Sequence, residues 1–209
     1  MKKYMDKLKA KIYFNTNLFV FLLVLVLVGV GAGAILSLIL NESDKKLVTE
    51  YLNNFMTSVS NGNFQFNISF FNTMIFTLGF ALIIWIFGIS IVGILLILPF
   101  LFIKSFVLGF SIGSILINFK FKGVIVALIY VVPHHVINIL IYILVSAYSI
   151  MISYRLISSM KCKKTFDFKV FMNRYTFILE FSLLILFATS LYEVFILPRL
   201  LGIVINLIK

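Results

Sequence analysis

Five ionisable side chains lie inside the apolar stretches of this chain: Lys104, His134, His135, Glu180 and Glu193. Ionisable groups are costly in hydrocarbon, and where they occur they mark ion paths, proton relays or counter-charges. The densest group is "VPHHVIN", residues 132–138, in a run from Val124 to Tyr154 that meets no Lys, Arg, Asp or Glu before Arg155. Two adjacent histidines raise the question of a metal. Adjacent helical residues point about 100° apart, so one ion does not readily take both rings from an unbroken helix. A zinc helix would carry His-Glu-x-x-His, with ligands at i and i+4. Position 138 is Asn138, and no cysteine or nearby carboxylate completes a ligand set. His134, Asn138 and Tyr142, at i, i+4 and i+8, form instead a polar stripe of the kind that joins helices by hydrogen bonds. Pro133 frees the Ile129 carbonyl and is expected to kink the helix there. A proton-linked or transport role for the stripe stays open beside the packing role.

Glu180 and Glu193 are about 13 residues apart, or roughly 20 Å along a helix, too far for a paired-carboxylate catalyst. Each is close to an arginine near a span end, Arg174 and Arg199, where it can snorkel or pair. Cys162 is the lone cysteine and cannot close an internal disulfide. No nucleophile-elbow serine appears, no Gly-Lys-Ser/Thr follows the glycine patterns, and the polar stretches are too short for a soluble enzyme core. The expectation is a protein that is not an enzyme, with no catalytic residue, no cofactor and no metal.

The elements that must position these groups follow from composition. Of 209 residues, 62% are hydrophobic and 12% charged, against about 25% charged in soluble domains. Mean hydropathy is +1.15. The fold class is all-α: one integral membrane domain with about five transmembrane helices. About 20 apolar residues cross a bilayer, which places spans at 17–40, 70–97, 103–119, 124–154 and 176–197. Pro99 and Lys104 mark the division between the second and third. The first span follows a basic start and is read as an uncleaved anchor rather than a signal peptide, because its apolar run is long for an h-region.

Basic residues cluster in 1–11 and in 155–174, giving much of the net charge of +11. Such clusters favour the cytoplasmic side and anionic lipid, so membrane lipids and not nucleic acid are the expected partners. An even number of crossings must then separate the two clusters. Four spans satisfy this, with the N-terminus cytoplasmic, a cytoplasmic basic loop at 155–175, and 41–67 and the C-terminus extracytoplasmic. Lys120 and Lys122 fall outside against this rule and are outvoted by the stronger clusters. Residues 199–209 are too short to span and are expected in the outer interface.

Within 41–67, Ser43 can cap a helix. Val48, Tyr51, Leu52, Phe55, Met56 and Val59 recur at helical spacing, one apolar face of an amphipathic helix. Lys46 and Glu50 form an i,i+4 pair on its other side, and Asn61-Gly62 ends it. This helix rests on the membrane or the other spans, or docks a partner. Two Gly-x-x-x-Gly patterns, Gly29–Gly33 and Gly109–Gly113, allow close helix approach and leave a homo-oligomer open.

The order of these features resembles the stage II sporulation protein M family. The matching pieces are "YLNNF" at 51–55, "WIFGISIVGI" at 85–94, "IKSFVLGFSIG" at 103–113, "VVPHHVINIL" at 131–140 and "FATSLYEVFILP" at 187–198. The likeness runs over almost the whole chain; the two histidines after the proline depart from the family's pattern. The resemblance implies a non-enzymatic scaffold in the mother-cell membrane at the sporulation septum. It implies as partners the peptidoglycan-degrading stage II sporulation proteins D and P, and a role in thinning the septum and moving the membrane during forespore engulfment. Candidate partner or packing residues are Tyr51, Leu52, Phe55, Met56, Gly109, Gly113, His134, Asn138 and Glu193. The alternative is a transporter or permease subunit built on a Pro-kinked polar helix; five spans without an evident repeat divide poorly into the halves common in transporters.

Overall fold

The computed structural model describes residues 16–60, 66–90, 92–162 and 168–208; the basic cluster at 1–11 and the Asn61-Gly62 turn lie outside them. Nearly all of the described residues are in helices: α1 (Thr16–Ile39), α2 (Glu42–Ser60), α3 (Phe66–Ile89), α4 (Gly93–Tyr130), α5 (Val132–Cys162), α6 (Phe168–Leu191), a π-helical turn (Tyr192–Ile196) and α7 (Leu197–Ile208). Five stretches are long and apolar enough to cross a membrane: Thr16–Ile39, Phe70–Ile89, Gly93–Ile129, Val132–Ser159 and Met172–Ile203. The all-α, five-span class is therefore what the chain adopts.

α5 is the central helix. Of its apolar window 61% is buried, against 17–39% for the other four spans. One core gathers Leu22 and Val26 of α1, Ala81 and Ile84 of α3, Ile97 and Leu101 of α4, Ile143 and Val145 of α5, and Leu186 of α6. The outward faces stay apolar, for example Val24, Leu27, Phe76, Leu95, Phe177 and Leu184, as a lipid-facing surface requires.

α1 and α4 make the most extensive helix pair, and both glycine patterns lie in it. A Cβ at Gly29 would stand 2.9 Å from Ser105 Cβ and 3.1 Å from the Phe102 carbonyl. A Cβ at Gly33 would collide with the Phe106 backbone, one at Gly109 with the Val30 backbone, and one at Gly113 with Ser37 and Ala34. Residue numbers rise together along the pair, so α1 and α4 run parallel. Small residues let the backbones touch, where packing supplies what hydrophobicity cannot between helices in lipid. Gly109 and Gly113 are thus occupied by the chain's own α1, which removes them as a docking surface for a second copy or another protein.

Span boundaries differ from the expectation in three places, each for a local reason. The second and third spans part between Ile89 and Gly93, where Ser90 N–H bonds to the Phe87 carbonyl (3.0 Å) and Gly93 N–H to the Ser90 carbonyl (3.1 Å). Pro99 and Lys104 lie inside α4. Pro99 is the seventh residue of α4, past the first turn, so the Leu95 carbonyl receives no N–H from it. The run at 124–154 is not one helix. Lys120 has φ 50°, a left-handed conformation unusual for a residue with a Cβ, and it bends α4. The segment after it turns back so far that a Cβ at Gly123 would meet the Ile115 carbonyl. A new helix then starts at Val132, which puts Pro133 in its first turn and not at a kink within a span. Finally, 155–175 is mostly helical, because α5 continues to Cys162 and α6 begins at Phe168.

α2 lies on the end of the bundle where α1 ends and α7 begins. Val59 packs with Ile115, Val126, Ala127, Val131 and Leu201, and Leu52, Phe55 and Met56 pack around that cluster. Thr49 hydrogen-bonds Asn118 of α4, and Lys45 stands 3.6 Å from Glu42. The helix begins one residue before Ser43, so that serine sits in its first turn and not at the cap. Tyr51 points away, 74% exposed. So of the four candidate docking residues on α2, three hold the helix to its own chain and one faces out. α7 is amphipathic along the same surface, with Leu197 and Leu201 buried and Arg199 and Ile203 exposed.

The glycine contacts generate a paired prediction. Gly33→Leu is expected to cost about 1–3 kcal/mol or more, because backbone atoms cannot yield as a side chain can. Gly31→Leu, whose Cβ meets nothing within 4 Å, is expected to be neutral. Thermal midpoints of the purified variants in the same detergent check this; equal midpoints would count against the interlock.

Candidate functional site, a polar cluster inside the helix bundle

The first three turns of α5 carry the cluster. The about 100° step between adjacent residues sends His134 and His135 to different neighbours. His134, 1% exposed, faces the π turn, its Nε2 3.7 Å from Glu193 Oε2. His135 faces α4 and lines a cavity with Lys104, Leu108 and Ser111. The two rings still touch, with centroids 4.1 Å apart at 44°. The pair is a wedge between two helices, each ring turned to its own partner surface.

One turn further, Asn138 is buried and its Oδ1 accepts the Thr189 hydroxyl of α6 at 2.6 Å. Another turn on, buried Tyr142 donates its hydroxyl to the Thr77 carbonyl of α3 at 3.1 Å. The stripe thus hydrogen-bonds α5 to α6 at one rung and to α3 at another, and places His134 against Glu193 of the π turn. The rungs match because Thr189 and Glu193 are also four residues apart, and antiparallel helices with equal spacing stay in register.

Glu193 reaches His134 from a π turn, within which the Leu197 N–H bonds back to the Tyr192 carbonyl, an i to i+5 pattern. The next residue, Pro198, has no N–H to continue an i to i+4 ladder. The helix widens by one residue just before it, and such single π turns re-aim side chains. Glu193 is consequently turned inward instead of pairing with Arg199 as expected. Glu180, in contrast, is on the outer face of α6.

Lys104 lies deep in α4, not at a span boundary. Its Nζ stands 5.5 Å from the Phe80 ring centroid and 5.9 Å from that of Tyr142. Both are within cation–π range. Beside it is a cavity of about 50 Å³ lined by Lys104, Leu108, Ser111, His135, Asn138 and Tyr142. That is room for a few water molecules with several polar partners, and far below the size of a typical small-molecule pocket.

A second seam closes the opposite end of the bundle. Tyr175 of α6 donates its hydroxyl to the Trp85 carbonyl at 2.7 Å, so the Ser149 hydroxyl, also 2.7 Å away, donates to Tyr175. The Trp85 and Tyr175 rings stack at 5.2 Å and 20°. Ser153 shares its hydrogen between the Gly88 and Ser90 carbonyls, at 2.9 and 3.0 Å. Sequence reasoning passed over this seam, and over Thr77 and Thr189. The available signal was Ser146, Ser149 and Ser153 at i, i+3 and i+7 in an apolar helix.

Chemically, both seams place hydrogen bonds between buried groups of neighbouring helices. Asn138→Leu is expected to cost about 0.5–2 kcal/mol, the usual range for such bonds in membranes. Adding Thr189→Val should cost little more, because the partner is already lost. A double-mutant cycle on thermal midpoints checks it, and additive losses would disprove the rung.

The comparisons with known proteins agree with this architecture. A family model described as Stage II sporulation protein M matches residues 19–198, from the start of α1 to the start of α7, and takes in every residue of both seams. Neither the curated proteins nor the solved structures gave a match. By a match that covers most of its length, the chain is a helical membrane protein of the stage II sporulation protein M family, with the role in sporulation that this family implies.

Proposed function

We propose that the protein is a non-enzymatic membrane scaffold of forespore engulfment. It organises the peptidoglycan-degrading stage II sporulation proteins D and P in the mother-cell membrane at the sporulation septum. Family membership gives the cellular setting. The observation that carries the scaffold reading is where the chemistry-bearing side chains go. His134, Asn138, Tyr142, Tyr175, Ser149 and Ser153 are all engaged with neighbouring helices. The polar cavity beside Lys104 holds only about 50 Å³, which suits water and not a transported solute. This favours the scaffold over the permease alternative.

In this reading the basic segments face the cytoplasm, and α2, α7 and the bend at Lys120 form a cap toward the septal wall. The cap's outward residue among the original candidates is Tyr51; Leu52, Phe55 and Met56 set its position. Glu193 acts from within, by holding α6 to α5.

Deleting the gene and staining the membranes of sporulating cells tests the role. Septal membranes that fail to migrate around the forespore are expected, and normal engulfment would sink the proposal. On the surface, Tyr51→Ala is expected to weaken recruitment of the hydrolases while leaving the amount of protein in the membrane unchanged. Phe55→Ala is expected to lower both. Orientation is read with Cys162: an impermeant thiol reagent should label it only after the cells are permeabilised.

A further inference from the structure

The bend in α4 uses a residue that its backbone does not favour. Lys120 has φ 50° and ψ −126°, the geometry of the first inner position of a type II′ turn, which glycine ordinarily fills. Strain of this kind persists where the residue serves something besides the fold. Phe119, just before it, packs inward against the cluster of Ile115, Val126, Ala127 and Val131. Phe121, just after it, points out and is 82% exposed. Lys120 and Lys122, on either side of that ring, are exposed as well.

The depth of this tip follows from its neighbours. Asn118 is hydrogen-bonded to Thr49 of α2, and α2 exposes Lys46, Glu50, Asn53 and Asn54. Hydrocarbon does not accept such residues, so the bend beside them lies at headgroup level. The tip is also at the opposite end of the bundle from the start of α1 and the end of α5, where the two larger basic clusters attach. Whichever way the bundle is oriented, Lys120 and Lys122 oppose the charge asymmetry, so setting orientation is not their purpose. An exposed ring between two ammonium groups fits a layer that is apolar below and anionic above.

We propose that the bend at Lys120 is an anchor for anionic phospholipid. Phe121 inserts among the acyl chains just beneath the headgroups, and Lys120 and Lys122 take lipid phosphates on either side of it. Glycine at 120 would relax the backbone and give up one of the charges, which is why lysine is kept there. Through Asn118 the anchor also sets the height of α2 over the membrane.

The full-length protein in nanodiscs of phosphatidylcholine, with and without phosphatidylglycerol, tests this on thermal midpoints. The wild type is expected to gain stability from phosphatidylglycerol and to lose that gain at high salt. Lys120→Gln keeps the strain and drops the charge. It should match wild type in phosphatidylcholine and lose part of the gain. Lys120→Gly should exceed wild type in phosphatidylcholine, because the strain is released, and lose the same part. Phe121→Ala should lose it too. In a titration with phosphatidylglycerol, removing Lys120 is expected to weaken the apparent affinity about five-fold. No gain in the wild type, or a full gain in all three variants, would overturn the anchor. A Lys120→Gly variant no more stable than wild type in phosphatidylcholine would overturn the trade of strain for charge. If a soluble polyanion stabilises the wild type as well as the lipid does, and fails to stabilise Lys120→Gln, the partner is a polymer and the lipid assignment falls.

Discussion

Inside a bilayer core, two apolar helices gain nothing by leaving lipid for each other, since the acyl chains are as apolar as leucine. Everything specific about this bundle depends on that constraint. The chain meets it in two ways. Between α1 and α4 it uses backbone contact, with Gly29, Gly33, Gly109 and Gly113 meshed so that carbonyls replace side chains at the interface. Around α5 it uses hydrogen bonds between buried groups. Asn138–Thr189 and Tyr142–Thr77 close one end, and Tyr175 with Ser149 and Trp85 the other.

The two devices divide the labour. The glycine interlock makes α1 and α4 a rigid parallel pair, and it occupies surfaces that could otherwise have joined two copies of the chain. The polar seams make α5 the axis on which α3, α4 and α6 are assembled. The charged and imidazole groups are gathered near the end that carries α2 and α7. There the helix starts of α5, the bend at Lys120 and the π turn before Pro198 interrupt regular backbone. Irregular backbone at membrane depth is tolerated where protein surrounds it, which is why these interruptions and the polar cluster occur together. A protein built this way uses its buried polar side chains to join its own helices.

Much of this was legible in the residues. Five spans, the amphipathic helix over 42–60 and the stripe of His134, Asn138 and Tyr142 all follow from hydropathy and helical spacing. The breaks between spans were not. From Phe70 to Phe119 almost every residue is apolar, so hydropathy carries no boundary, and Pro99 with Lys104 offered a false one. The real break lies between Ile89 and Gly93, and its sign was only Ser90 and Gly93. Pro133 read as a kink because the run around it is equally apolar on both sides, and nothing in the type of Lys120 announces a positive φ. The face of α2 was predicted one residue too wide. Helical spacing allows Tyr51 or Leu52 at the edge, and only the position of α7 selects between them.

What the sequence by itself determined is therefore the class of molecule: a basic, charge-poor chain whose apolar runs are the right length for a bilayer and whose rare polar residues fall at helical spacing. Those properties are set by free energies of transfer and by the period of the helix, both local. Tertiary structure alone decided which partners the polar residues meet. It set His134 against Glu193, Lys104 beside the Tyr142 ring, and each glycine pattern against the other helix rather than a second molecule. The outer faces of the spans are mostly apolar and lipid accepts them all, so periodicity cannot rank one helix neighbour over another. The choice is made by shape and by hydrogen bonds between residues that are 50 or more positions apart in the chain, such as Asn138 with Thr189 and Tyr142 with Thr77.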